Sequence, residues 1–273
     1  MPHFKQFECQ LTEDSGFGLI IPTVFHAAVT TEGGTTAGEI GQSVLHISRI
    51  TSILLLISYA VYVWFQIRTH ESIYDAIFEA DEHKDADRDE DLEKEKLTFT
   101  ECVIALSVAI TLVTFIAISL VGQISFIVDE RHVSDSFVGL ILVPLVEKFA
   151  EHLTAIDEAW DNQMNMALAH VLGATIQTSL FNGPLVVLVG WGLSLPMTLS
   201  FSLFNIVVLI LAILVVGNFL RDQKSNYLEG SLCVLVYVNI AVAAFYYPNP
   251  KEDATDPSTF GVEKRMLAGM LGF

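Results

Sequence analysis

Cysteine and positive charge are both scarce in this chain, and each shortage narrows the possibilities. Cys9, Cys102 and Cys233 are odd in number and far apart, which leaves no disulfide framework and no metal-ligand spacing. Against 32 Asp and Glu there are only 14 Lys and Arg, a formal net charge of −18, so nucleic acid is not an expected partner. Catalytic signatures are missing too. No His-Glu-x-x-His, no Gly-x-Ser-x-Gly elbow and no phosphate-binding Gly-rich loop occur, and a carrier is favoured over an enzyme. No cofactor is expected. Met1 to Glu13 are polar and lack the apolar core of a signal peptide, so membrane insertion must come from internal segments.

Apolar length is what the chain has in abundance. Hydrophobic residues make up 52% and the mean hydropathy is +0.52, values that fit an all-α polytopic membrane protein. A ~30 Å hydrocarbon core takes about 20 residues to cross. Six runs qualify, at about 44–67, 101–128, 137–157, 166–191, 199–220 and 228–247. Tyr59, Tyr62, Trp64 and Phe65 end the first, Trp191 the fourth and Tyr246-Tyr247-Pro248 the sixth, as at a headgroup boundary. A shorter run at about 17–29 contains Pro22 and reads as the tail of a helix rather than a span. The expected organisation is an incomplete N-terminal segment (1–43), a transmembrane helix (44–67), an acidic loop (68–98), the main membrane region (99–248) and a polar tail (249–273).

The acidic loop holds twelve acidic and four basic residues between Glu71 and Lys96. A solvated linker kept extended by self-repulsion is the first reading; a surface that gathers cations near a pore mouth is the second. Asp81, Asp85, Asp87, Asp89 and Asp91 alternate without a glycine, so the EF-hand pattern is not met. Seven basic residues against five on alternating sides place this loop in the cytosol.

Chemistry concentrates in the run 137–157, where Glu147, Lys148, Glu151 and His152 interrupt an apolar stretch. A charge at the bilayer centre costs roughly 2.5–3.5 kcal/mol on the insertion scale, so such residues face a polar cavity or a partner. Glu147 and Glu151 are four apart and share a helix face. Pro144 just before them is expected to break the helix and free a carbonyl. Asp157, Glu158 and Asp161 read as interfacial residues. The next run carries Thr175, Gln177, Thr178, Ser179 and Asn182. Alone, such a set fits helix packing; beside the acidic run it fits the wall of one cavity, with Gly173 and Gly183-Pro184 as unwinding points. His170 could titrate there, although a lone histidine more often serves packing.

From Phe137 onward the chain resembles the second half of the calcium/proton (cation/proton) exchangers of the sodium/calcium exchanger superfamily. The matching stretches are Gly139-Leu-Ile-Leu-Val-Pro144, Ala150-Glu-His-Leu-Thr-Ala-Ile156, Gly173-Ala-Thr-Ile-Gln177 with Leu180-Phe181, Pro196-Met-Thr-Leu199 and Asp222-Gln-Lys-Ser-Asn-Tyr-Leu-Glu-Gly230. The resemblance implies one five-helix repeat of an inverted-repeat exchanger, with a preceding helix and a cytosolic acidic segment. It implies that Glu151 is the cation-binding, proton-exchanging carboxylate, with His152 its motif neighbour and Gln177 on the access path; from the residues themselves, Glu147 joins the cation/proton-binding set and Thr175 and Lys148 the access path. It further implies an integral protein of a vacuolar or other endomembrane, with lipid, Ca2+ (or Na+/K+) and protons as its partners.

Two departures qualify that expectation. The usual motif reads Gly-Asn-Ala-x-Glu-His, whereas this chain has Glu147-Lys148-Phe149-Ala150-Glu151-His152. An amide oxygen suited to a hard cation is lost, and the form is similar to a divergent fungal branch associated with vacuolar monovalent cation/proton exchange. Lys148 either opposes a divalent ion at the site or points away to a neighbouring helix. The second departure is that one repeat is present, so an incomplete gene product or half of an oligomer is expected. The alternative function is a non-transporting, cation-binding half that pairs with another exchanger chain. The antiport reading requires a wetted Glu151; a dry, sealed contact with Lys148 and no neighbouring oxygens would contradict it.

Overall fold

The computed structural model describes residues 2–32, 37–69, 71–85, 88, 97–221 and 226–249. Eleven α-helices account for most of these: α1 (Pro2–Glu32), α2 (Ala37–Trp64), α3 (Glu71–Glu82), α4 (Phe99–Asp129), α5 (Asp135–Phe137), α6 (Val143–Glu147), α7 (Phe149–Trp160), α8 (Met164–Gln177), α9 (Gly183–Gly192), α10 (Leu203–Arg221) and α11 (Tyr227–Phe245). Wider π turns extend α2 over Phe65–Thr69, join α5 to α6 over Val138–Leu142, and join α8 to α9 over Thr178–Asn182. The predicted tail 249–273, apart from Asn249, and the stretch 89–96 of the acidic loop lie outside the described residues.

Among the described residues, five helices are long and apolar enough to cross a membrane: Gly38–Arg68, Phe99–Val128, Met164–Gly192, Leu203–Arg221 and Tyr227–Phe245. They account for five of the six predicted spans. The remaining run, 137–157, is helical but broken at Lys148, whose φ of −95° and ψ of 9° leave the helical region. Pro144 does not make that break. It follows the Val138–Leu142 π turn, in which the Val143 N–H donates to the Val138 carbonyl. That longer register accommodates a residue that cannot donate and crowds the preceding turn. The same device precedes Gly183-Pro184, where the Gly183 N–H donates to Thr178. The helix widens there instead of unwinding, and Gly173 lies inside continuous α8.

Local chemistry fixes several helix starts. Thr98 and Glu101 form a capping box on α4: the Thr98 N–H donates to Glu101 Oε2 at 2.8 Å, and the Glu101 N–H donates to Thr98 Oγ1 at 3.5 Å. Asn226 caps α11 by accepting from the Leu228 and Glu229 N–H groups. Asn249 performs the same service across 114 residues, its Oδ1 accepting from the Asp135 N–H at 2.7 Å.

At the centre lies α1, which the sequence reading took for an incomplete tail. It packs against α2, α8 and α10. Its inward stripe is small or polar, with Ser15, Gly16, Pro22 and Thr23 all buried. A Cβ on Gly16 would meet Ile213 at 2.5 Å and one on Gly18 would meet Leu55 at 2.6 Å, so the close crossings depend on the missing side chains. Around this centre Leu55, Tyr62, Ile176, Leu180, Val187 and Leu199 form the buried apolar cluster.

The segment between α9 and α10 is irregular, and α10 begins at Leu203 rather than 199. Non-helical backbone is tolerated at membrane depth only where protein satisfies it. Here the Leu199 N–H donates to buried Ser48 Oγ at 3.0 Å, the Phe201 N–H donates to Thr23 Oγ1 at 2.9 Å, and Thr23 Oγ1 donates to the Leu199 carbonyl at 3.3 Å. α1 and α2 thereby hold the loop in place.

The acidic segment is not a bare linker over its described part. α3 docks on α8 through Asp81, which is 1% exposed. Its carboxylate accepts from the Asn165 N–H at 2.8 Å, from Asn165 Nδ2 at 2.9 Å and from the Met166 N–H at 3.3 Å, with Lys84 Nζ at 3.4 Å. The Asn165 and Met166 N–H groups belong to α8's first turn, which Gln163 at the N-cap does not cap with its side chain among the described residues. A carboxylate there is favoured by the helix dipole as well.

Candidate functional site

Glu151 stands in the first turn of α7, three residues past the break at Lys148. Lys148 Nζ donates to Glu151 Oε1 at 3.0 Å and lies 4.0 Å from Glu147 Oε1. Lys148 therefore stays with the acidic pair and does not reach to another helix. The contact is not sealed, because the Glu151 side chain is 40% exposed and that of Glu147 64%. An ion pair this open is worth about 1 kcal/mol or less after solvent screening, too little to keep an arriving cation out.

Glu151 opens into a cleft of about 470 Å³ that it lines with Glu147, Lys148 and His152. The opposite wall comes from α8 and its π turn: His170, Val171, Ala174, Thr175, Thr178 and Ser179. Leu19 of α1 and Leu199, Phe201 and Leu209 close the apolar side. The hydroxyl hydrogens on that wall are already committed. Thr175 Oγ1 donates to Val171 O at 2.9 Å, Thr178 Oγ1 to Ala174 O at 2.9 Å and Ser179 Oγ to Thr175 O at 2.9 Å. With their protons turned back to the helix, these groups have oxygen lone pairs left to offer a cation. Ser179 is further set by Ser15 of α1, 3.0 Å away.

The structure brings Glu147, Lys148, Glu151, His152 and Thr175 to one cleft, and places Gln177 elsewhere. Two residues on from Thr175, Gln177 faces a second cleft of about 440 Å³, together with Tyr59, Tyr62, Gln66, Phe78, Glu158, Met166, Ala169, His170 and Gly173. Glu158 is the residue that sequence reasoning misplaced at the interface. It turns inward, with Oε1 3.4 Å from His170 Nδ1 and Oε2 fully buried without a hydrogen-bond partner among the described residues. The signal was its spacing: seven residues after Glu151, it repeats the helix face on which Glu151 stands. Among the described residues no three His, Cys, Asp or Glu side chains converge to hold a metal.

Comparison with known proteins bears on the family and the fold. The profile of the family described as "Sodium/calcium exchanger protein" matches residues 102–246. The "Vacuolar calcium ion transporter" of Schizosaccharomyces pombe is 32% identical over 230 residues, 84% of this chain and 53% of that protein. "Vacuolar cation/proton exchanger 5" of Arabidopsis thaliana is 32% identical over 238 residues, 86% of this chain and 52% of that protein. The chain thus spans about half the length of the curated relatives it matches. Among solved structures, native YfkE superposes with a TM-score of 0.69 at 23% identity, covering 90% of this chain and 65% of that one. A selenium-substituted form described as the Ca2+/H+ antiporter protein YfkE gives 0.67 at 24% identity, covering 88% and 62%. The fold is shared.

Proposed function

Because the chain belongs to the sodium/calcium exchanger protein family, we propose that it serves as a secondary active cation/proton antiporter, exchanging Ca2+, or Na+ and K+, for H+ at Glu151. The observation that carries the reading is a carboxylate at a helix break inside the membrane region, open to a cleft whose far wall offers hydroxyl oxygens. Ionised, Glu151 takes a cation; protonated, it cannot. That mutual exclusion couples the two fluxes. The relatives named vacuolar make a vacuolar or other endomembrane the proposed location.

Lys148 bears on which cation is carried. Glu147, Lys148 and Glu151 sum to one negative charge, which a single monovalent cation or proton neutralises and a divalent one overshoots. Lys148 acts as a tethered counterion that an arriving ion displaces towards Glu147. Na+ and K+ are therefore serious rivals to Ca2+. A second reading rests on the openness of the cleft. Two carboxylates, one offset by Lys148, with hydroxyls are a thin shell for a hard cation, so the chain could instead bind cations without transporting them and complete its site against another exchanger chain.

The test is proton-gradient-driven uptake into vesicles reconstituted with the chain, comparing Ca2+, Na+ and K+. The antiport reading expects saturable uptake that collapses with the gradient and falls more than a hundredfold in Glu151→Gln. Cation binding without uptake, restored to transport by a second exchanger chain, favours the alternative.

A further inference from the structure

The two clefts are separate in their walls except at one residue. Among the described residues, His170 alone lines both: the one holding Glu151 and the one holding Glu158. Its Nδ1 lies 3.4 Å from Glu158 Oε1. Among the described residues, the other carboxylate oxygen of Glu158 is buried with no partner, a costly arrangement for a charged group. Glu151 and Glu158 stand on the same face of α7, about 10 Å apart along the helix axis at 1.5 Å per residue. α8 supplies the histidine opposite them. Resting on the antiport reading, we infer that His170 and Glu158 form a proton relay that carries the hydrogen ion released by Glu151 out of its cleft and into the second one.

The steps balance. When a cation takes the Glu151 carboxylate, the Glu151 proton passes through the first cleft to a nitrogen of His170, leaving Glu151 anionic and His170 cationic. His170 hands a proton from Nδ1 to Glu158 Oε1, returning to neutral imidazole and neutralising the carboxylate. Glu158 then releases it to the second cleft, and the sequence runs backwards for proton entry. Imidazole suits this work because it accepts at one ring nitrogen while donating from the other. A cation site in the second cleft fits less well, since among the described residues Glu158 is its one carboxylate. His152 also lines the first cleft but not the second, so it does not bridge them. Asp81 of α3 is committed to the α8 backbone, and Glu147 and Lys148 pair across the break.

The experiment compares the parent chain with His170→Asn, Glu158→Gln and Glu158→Asp in proteoliposomes, measuring two fluxes. One is proton-gradient-driven cation uptake. The other is isotopic cation-for-cation exchange at equal pH on both sides, which moves no net proton. The relay predicts that His170→Asn and Glu158→Gln lose at least tenfold in the first flux and less than twofold in the second, with partial recovery in Glu158→Asp. Proton-driven uptake within twofold of the parent in both variants overturns the relay. Equal loss of both fluxes also overturns it, because that is the signature of a purely structural pair. A parent chain lacking both fluxes defeats the antiport reading itself, and the relay falls with it.

Discussion

Two stretches of this chain share a local plan and end differently. In each, a π turn leads into Pro-Leu-Val: Val138–Leu142 into Val143-Pro144-Leu145-Val146, and Thr178–Asn182 into Gly183-Pro184-Leu185-Val186. The second stays one continuous span from Met164 to Gly192. The first breaks at Lys148, where the run becomes ionisable. Proline is therefore not what separates them, since the wider turn accommodates it both times. What differs is the chemistry around them: Glu147, Lys148 and Glu151 follow Pro144, whereas Leu185 to Val189 after Pro184 are apolar and the self-bonded hydroxyls of Thr175, Thr178 and Ser179 precede it. The break brings Glu151 to the start of α7, where the helix dipole favours an anion, while the unbroken helix supplies a steady wall of oxygens.

The comparison yields predictions of decreasing size. Asp81→Ala removes the carboxylate that caps the hydroxyl-bearing span. Charge-assisted bonds of this kind are worth about 1.5–3 kcal/mol, so thermal unfolding in detergent should show a loss of that order. An unchanged midpoint would mean α3 is not holding α8. Lys148→Asn removes the counterion on the charged side. Relative uptake of Ca2+ over Na+ should rise about tenfold, equivalent to about 1.4 kcal/mol, and a ratio that stays put would strip Lys148 of its part in selection. Ser179→Ala deletes one oxygen from the wall and one contact to Ser15. A neutral hydrogen bond is worth about 1 kcal/mol, so cation affinity should fall a fewfold, and a larger fall would shift the weight of binding from the charged span to the hydroxyl span.

Much of this was legible in the sequence, for reasons that differ by residue. The long spans announce themselves by composition, and Glu151 does so because a charge in an apolar run demands an explanation. α1 stayed hidden because its most buried positions are Ser15, Gly16, Pro22 and Thr23, with only Leu11 and Leu19 partly buried against the apolar cluster, so it packs largely by closeness. Asp81 looked like one of several alternating aspartates; its partners at Asn165 and Met166 are more than eighty residues away, beyond any local pattern. Glu158 was misread by proximity to the helix end, although its seven-residue offset from Glu151 was available. The position of the break could not be read from Pro144, because the π turn that accommodates it leaves no mark in composition.

The central claim is that one carboxylate, Glu151, holds a proton or a cation but not both. It is tested most directly by counting protons released when Ca2+, Na+ or K+ binds the purified chain, using calorimetry in buffers of different ionisation enthalpy. Near the pH at which Glu151 is half protonated, the parent should release a measurable fraction of a proton per cation, rising as pH falls, and Glu151→Gln should release none. Proton release undiminished in Glu151→Gln would contradict the account.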